Sequence, residues 1–342
     1  MPKIAFPLLI VTLFLAGCQL RPVVPPRPPE TKIAFMTNRD GNFEIYTSNR
    51  DGSNPVNLTN SDGNEGVPAW SGRAQAFAFL SDGSGEGLLI NRMDRDGANP
   101  SRLSDQIPAS ASPPVWSPTG EWIAFGSNIA GNADVFLVDP TGATVINLTD
   151  NPANDVFEDW SPDGSSLLFL SDRDGTIAGY SVPVGGGQAT PVTDVQVNSG
   201  GLDLSPDGST LLFMSDRDGD IEIYASDAAG GNVTRLTNSP GFDGFPTWSP
   251  NGSKIAFLTN RDGNAEIYVM NADGSSPVNV TNSPEAQESM EGDYSWSPDS
   301  RQIMFHTNRD GDVEVYVVNA DGSNPTNISH NPAIDIGSVW VR

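Results

Sequence analysis

The chain has 342 residues and a formal charge of −25, with 35 Gly and 28 Pro distributed along it. So acidic a balance excludes a nucleic-acid groove, which needs clustered Lys and Arg to hold phosphate. Scarce helix-friendly runs exclude a helical bundle, and a single cysteine excludes internal disulfides, so the fold must rest on packing between strands.

The N-terminus opens with Lys3 and the apolar run Ile4 to Ala16, of signal-peptide length and too short to cross a bilayer. It ends in Leu15-Ala16-Gly17-Cys18, which resembles a bacterial lipobox. The resemblance implies that residues 1–18 are a lipoprotein signal and that Cys18 becomes a lipidated N-terminus. Residues 19–31, containing Arg-Pro-Val-Val-Pro-Pro-Arg-Pro-Pro-Glu, predict an extended, semi-rigid polyproline linker.

From Lys32 to Arg342 the chain repeats itself, and such a period governs the fold reading. One unit runs Trp-Ser-Pro-Asp-Gly, an apolar triplet, an Arg-Asp-Gly turn, Glu-Ile-Tyr, an Asp-Gly turn and Asn-Leu-Thr. The marker tryptophans are Trp70, Trp116, Trp160, Trp248, Trp296 and Trp340, with Leu204 in the copy that lacks one. Successive markers lie 44 to 48 residues apart. Apolar triplets end at Phe35, Phe79, Phe125, Phe169, Phe213, Phe257 and Phe305, so the unit occurs seven times.

Each unit predicts four short strands joined by three tight turns, in which proline presets φ and glycine supplies positive φ. A longer link leads to the next unit. Repeated antiparallel meanders of this kind predict an all-β, seven-bladed β-propeller of four-stranded blades. In Ile255-Ala256-Phe257 the large residues share one face and alanine takes the other, which lets neighbouring sheets approach on the alanine side. Pro68, Pro114 and Pro246 stand two residues before their marker Trp, and proline belongs on an edge strand such as the one beside a channel. The first copy lacks a Trp strand and the last, residues 337–342, is only a Trp strand. Pairing the two ends closes the ring and hides two sheet edges. The sequons at Asn57 and Asn147 read as outer-strand residues.

The repeat Trp-Ser-Pro-Asp-Gly…Ile-Ala-Phe…Arg-Asp-Gly…Ile-Tyr…Asp-Gly…Leu-Thr resembles that of the TolB propellers, across essentially all of residues 32–342. Related repeats form the propellers of prolyl-oligopeptidase-type peptidases. The resemblance implies the fold and an extracytoplasmic setting. TolB itself carries an α/β domain ahead of six blades, whereas this chain has a proline linker and seven units, so membership of the Tol system is not implied.

No catalytic set stands out. The nucleophile motif Gly-x-Ser-x-Gly is missing, as is His-Glu-x-x-His. His306 takes a strand position held elsewhere by Met36, Leu80, Gly126, Leu170, Met214 and Leu258, and His330 follows Asn-Ile-Ser, so both read as structural. Scarce His and Cys argue against a transition metal. For a hard cation the candidates are Asp172, Asp174, Asp216, Asp218 and Asp220, in turns whose spacing does not match an EF-hand. No cofactor is expected beyond an optional structural calcium ion.

Five residues before the marker, the side chain is acidic in five copies: Glu65, Asp155, Asp243, Glu291 and Asp335; Ala111 and Ser199 break the pattern. The Arg-Asp-Gly turns, with Arg39, Arg173, Arg217, Arg261 and Arg309, fall at the same end of the blades. These charges predict either repeated internal salt bridges, within a blade or to the preceding one, or a face that binds a cation or a basic partner. The function expected is a lipid-anchored, monomeric extracytoplasmic scaffold whose partner is a protein or an envelope polymer. The alternative is a carbohydrate lyase or hydrolase using carboxylates at the channel mouth, an analogy from fold.

Overall fold

The computed structural model describes residues 31–83, 87–103, 112–193, 201–283 and 293–342. The lipidation and linker expectations for residues 1–30 lie outside them. Among the described residues every element is a strand, and the strands form seven four-stranded antiparallel sheets. The blades run in sequence: blade 2 from Ala69–Ser71 to Ser101–Arg102, blade 3 from Val115–Trp116 to Val145–Asn147, and blade 4 from Asp155–Trp160 to Thr190–Pro191. Blade 5 runs from Asp203–Leu204 to Thr234–Arg235, blade 6 from Asp243–Trp248 to Val278–Asn279, and blade 7 from Ser295–Trp296 to Thr326–Asn327.

Blade 1 takes its inner strand, Asp335–Val341, from the C-terminus and its other three, Lys32–Thr37, Glu44–Asn49 and Val56–Asn57, from the start of the repeats. The register sets Ile33 opposite Trp340 and Thr37 opposite Asp335. The ring is therefore closed as the repeat count predicts.

Turn chemistry matches the dihedrals. Gly252 in Ser-Pro-Asn-Gly has φ +69° and Gly263 in Arg-Asp-Gly has φ +100°, a region that costs an L side chain energy. Inner strands carry the irregularities: Pro246 sits in a bulge between Gly244 and Thr247, where a missing N–H disrupts no ladder.

The core consists of seven wedges, one between each pair of neighbouring blades. Between blades 5 and 6, Ile255 and Phe257 pack back onto Leu212 and Ile223. Ala256, on the other face of the same strand, packs forward with Trp296 and Phe305 of blade 7. The alternation read from the triplet thus assigns each sheet face to a different wedge. All seven triplet phenylalanines are buried, and burying a side chain of this size stabilises by about 1.5–3 kcal/mol.

Candidate functional site

The Arg-Asp-Gly turns build a repeated module at one end of the blades. In each of the five copies the guanidinium carbon lies 4.5 to 5.3 Å from the centroids of a Phe and a Tyr ring, within cation–π range. Its Nε donates to a Thr or Ser hydroxyl two residues earlier, as in Arg261 to Thr259 at 3.1 Å. The turn aspartate accepts a hydrogen bond from the tyrosine, Asp218 from Tyr224 at 2.7 Å for example. Burial first, and then the facing aspartate, pushes Tyr46, Tyr180, Tyr224, Tyr268 and Tyr316 up to about 12.

The acids that start the inner strands meet these arginines within their own blade. Arg39 reaches Asp335 at 3.1 Å, Arg173 reaches Asp155 at 3.0 Å and Arg261 reaches Asp243 at 2.7 Å, each carboxylate fully buried. That settles what residue counts left open, because pairing with the preceding blade was equally compatible. A buried carboxylate needs such a partner. Blade 2 has no arginine in its turn. There Glu65 accepts from Ser61 at 2.6 Å, and burial, opposed by the Ser61 and Ser81 hydrogen bonds, raises its carboxyl. Arg217 belongs to the blade whose acid position is Ser199; its Nε donates to Ser215 at 3.3 Å. Arg309 donates to Thr307 and to the Thr281 carbonyl. Glu291, like Ala111 and Ser199, lies outside the described residues.

The cation candidates are engaged in turns. Asp172 accepts from the Asn154 amide groups at 2.8 and 3.0 Å, and Asp174 accepts from Tyr180. Asp218 also lies 3.6 Å from Arg235, while Asp216 and Asp220 are exposed in the same turn. Among the described residues no group of three His, Cys, Asp or Glu side chains is placed to hold a metal ion. His306 bridges Asp293, at 3.0 Å, and Ser338, at 3.1 Å, and His330 is exposed with φ +44°.

At the opposite end, where the Ser-Pro turns meet the channel, a funnel of about 930 Å³ opens. Indole edges of Trp70, Trp116, Trp160, Trp296 and Trp340 line it, with prolines between them. Asp159 and Asp203 stand in its wall, each one residue before its blade's marker position. The two carboxyl groups face each other across the blade 4–5 boundary, close enough to act on each other's charge. Glu158 lies beside them in a smaller recess of about 260 Å³ with Tyr294 and Phe245.

These three acids are half-buried by surface area, yet protein surrounds them inside the channel wall. Burial pushes Asp159 up to about 6 and Glu158 up to about 7, against backbone N–H bonds from Trp160 at 2.7 Å and Leu202 at 3.1 Å. Burial and then the charge of Asp159 raise Asp203 well above the carboxylate range. Sequence reasoning missed this cluster. The signal was present as acids at one repeat position in two adjacent copies, where the other copies have Ala69, Val115, Thr247, Ser295 and Val339.

Residues 105–201 and 192–294, together more than half of the chain, match the TolB beta propeller domain family. No protein of curated function matches the chain in sequence. The structure is similar to a TolB from Agrobacterium tumefaciens, at 24% identity and a TM-score of 0.53 over 73% of this chain and 88% of that one. It is also similar to an oligogalacturonate lyase in complex with manganese, at 17% identity and a TM-score of 0.65 over 84% and 85%. A puromycin hydrolase aligns at 16% identity and a TM-score of 0.65; 89% of this chain corresponds to 53% of that protein. At these identities the likeness carries the fold, and hosts of this fold do different things.

Proposed function

The chain belongs to the TolB β-propeller domain family, and on that premise we propose that it is an extracytoplasmic binding platform whose funnel receives a segment of a protein partner. The observation that supports this most is the funnel itself: a concave mouth lined by the largely buried indoles, by prolines, and by Asp159, Asp203, Arg73 and Arg342 in its wall. Aromatic walls with a few convergent polar groups are the usual make-up of a recognition site. The net charge of −25 favours a basic partner and speeds its approach. The Arg-Asp-Gly face is the second contact surface in this reading. Its paired arginines retain 12 to 18% of their side-chain surface, enough for an edge-on contact, while their charges are met internally. Lipidation at Cys18 would hold the platform at a membrane, with the proline linker as spacer.

The test is capture of partners from an envelope extract by the intact protein and by a funnel variant, Asp159→Asn with Asp203→Asn. The expected result is a partner held by the first and lost by the second, with unchanged circular dichroism. Equal capture by both, or by neither, would overturn the reading.

A second reading, a carbohydrate-active enzyme, has one observation in its favour: Glu158 titrates near neutrality beside two other carboxyls. Reducing-sugar release from acidic and neutral polysaccharides separates the two readings.

A further inference from the structure

One wedge of the seven lacks its indole: between blades 4 and 5 the buried cluster of Leu168, Leu170, Val192, Leu202, Leu211 and Phe213 is joined at the marker position only by the partly buried Leu204. Each marker Trp lies in the wedge between its own blade and the one before, as Trp248 does beside Leu212, Ala225 and Leu236. Trp160 does the same beside Ala124, Leu137 and Leu148, and Trp296 beside Ala256, Val269 and Val280. The residues 44 positions before those around Trp248 are Leu168, Ser181 and Val192 of blade 4. In blade 5 the marker is Leu204, and there a cleft of about 580 Å³ opens between blades 4 and 5. Its walls include Leu168, Ser181, Val192 and Leu204, the same set of positions that elsewhere encloses an indole.

The cleft also has a charge. Asp163 and Asp207, one from each flanking blade, line its rim, and no lysine or arginine does. Hydrogen bonds hold both carboxyls down at about 2, from the Ser165 amide and serine hydroxyls on Asp163 and from the Ser205 and Ser209 groups on Asp207. They are anionic at any physiological pH. Pro162 and Leu204 line both the cleft and the funnel, so the two lie side by side.

We propose that the blade 4–5 cleft is a slot for an aromatic side chain presented by a partner beside a basic group. The ring supplies six of the wedge indoles and the partner supplies the seventh ring. Leu168, Val192, Leu204 and the two prolines supply contact for the aromatic face, serine hydroxyls of blade 4 offer hydrogen bonds at its edge, and the two aspartates select a cationic neighbour over an anionic one. The inference rests on the binding-platform reading and names the chemistry of the partner. It can be tested without the partner.

L-Tryptophanamide, which carries a protonated amine, is the probe, and anionic N-acetyl-L-tryptophan is its control. Ligand-observed NMR titration of the full chain should show saturable tryptophanamide binding in the roughly millimolar range, with the control several-fold weaker. Leu204→Trp places the missing indole in cis and should weaken tryptophanamide about tenfold or more, with a melting temperature at or above that of the parent. Should that variant misfold, Ala228→Arg at the cleft rim gives the same readout. No saturable binding by the parent, or equal binding by parent and variant, overturns the slot. Equal affinity for the two probes overturns its charge selection. Tryptophanamide binding that persists while no partner is captured would sink the platform reading and leave the slot standing.

Discussion

The wedges on either side of blade 5 keep one leucine in common and differ at three facing positions: Trp248, Ala225 and Leu236 on one side, Leu204, Ser181 and Val192 on the other. Between blades 5 and 6, Trp248 packs with Leu212, Ala225 and Leu236 in a closed cluster. Between blades 4 and 5, Leu204 faces Leu168, Ser181 and Val192 across an open cleft. The marker register is the same in the two blades, Leu204 opposite Leu211 as Trp248 is opposite Ile255, and so is the pairing of the second and third strands, although the inner strand is Asp203–Leu204 in blade 5 and the bulged Asp243–Trp248 in blade 6. A propeller sector therefore holds its backbone geometry without its indole, because three sequential hairpins and two neighbouring blades still fix it. The indole contributes packing; where it is missing, Leu168 and Val192 stay buried in their cluster and the cleft opens beside the half-buried Leu204 and Ser181.

The comparison would break if every wedge tolerated loss equally, and the strongest test is the wedge that closes the ring. Blade 1 is held together across Lys32–Thr37 and Asp335–Val341 by hydrogen bonds and side chains, since its first two strands come from opposite ends of the chain. Deleting residues 335–342 removes Trp340 from its cluster with Ile33, Phe35 and Met304, and leaves Arg39 without Asp335. Loss of a buried Trp alone costs about 3–5 kcal/mol, against a total stability of about 5–15. The truncated chain is expected to lose its cooperative urea transition and to associate through the uncovered strand edge. An unchanged midpoint by circular dichroism and fluorescence would show that closure is dispensable.

A sharper version makes the same exchange in opposite directions in adjacent wedges. Trp160→Leu should cost about 2 kcal/mol, because leucine fills only part of a site whose neighbours Ala124, Leu137 and Leu148 cannot collapse into it. Leu204→Trp should instead be neutral or stabilise by up to about 1 kcal/mol, as cavity-filling changes commonly do. Urea midpoints at constant m-value report both. Destabilisation by both exchanges would mean that the blade 4–5 wedge has been reshaped around leucine rather than left open.

What could be read in the residues follows from what repeats. Seven copies of one pattern made the blade number, the closing strand and the faces of Ile255, Ala256 and Phe257 legible, because each position was seen several times in the same role. The missing indole at Leu204 was legible as a gap in a column, though not that the gap stays open, which depends on whether Leu168, Ser181 and Val192 close over it. Pairing of Arg173 with Asp155 rather than with an acid of the preceding blade was not legible, since a turn separated by 18 residues and one a full repeat away supply the same charges. The Asp159–Asp203 pair was hidden for the opposite reason. Its position varies in polarity from copy to copy, so no periodic signal marks it, and only the ring brings two adjacent copies side by side.

That pair also spans the wedge that lacks its indole, Asp159 from blade 4 and Asp203 from blade 5, and it supplies the smallest effect expected. Both carboxyls, and Glu158 beside them, hold protons more tightly in the folded protein than a free carboxylate does. The native state therefore binds more protons than the unfolded chain between about pH 4 and pH 7. Stability from these groups is fully present below the ordinary carboxylate range and is lost as pH rises through about 6 for Asp159 and about 7 for Glu158. Asp203→Asn keeps an oxygen for the Trp248 amide and a donor toward Asp159, while removing the charge that must form at high pH. The advantage of the variant over the parent should grow as pH rises from 4 to 8, by about 1 kcal/mol or more, the scale of one unit of differential protonation. Urea titrations at the two pH values measure that difference directly. If the variant is instead less stable at pH 8, the charge forming on Asp203 is not what costs stability there.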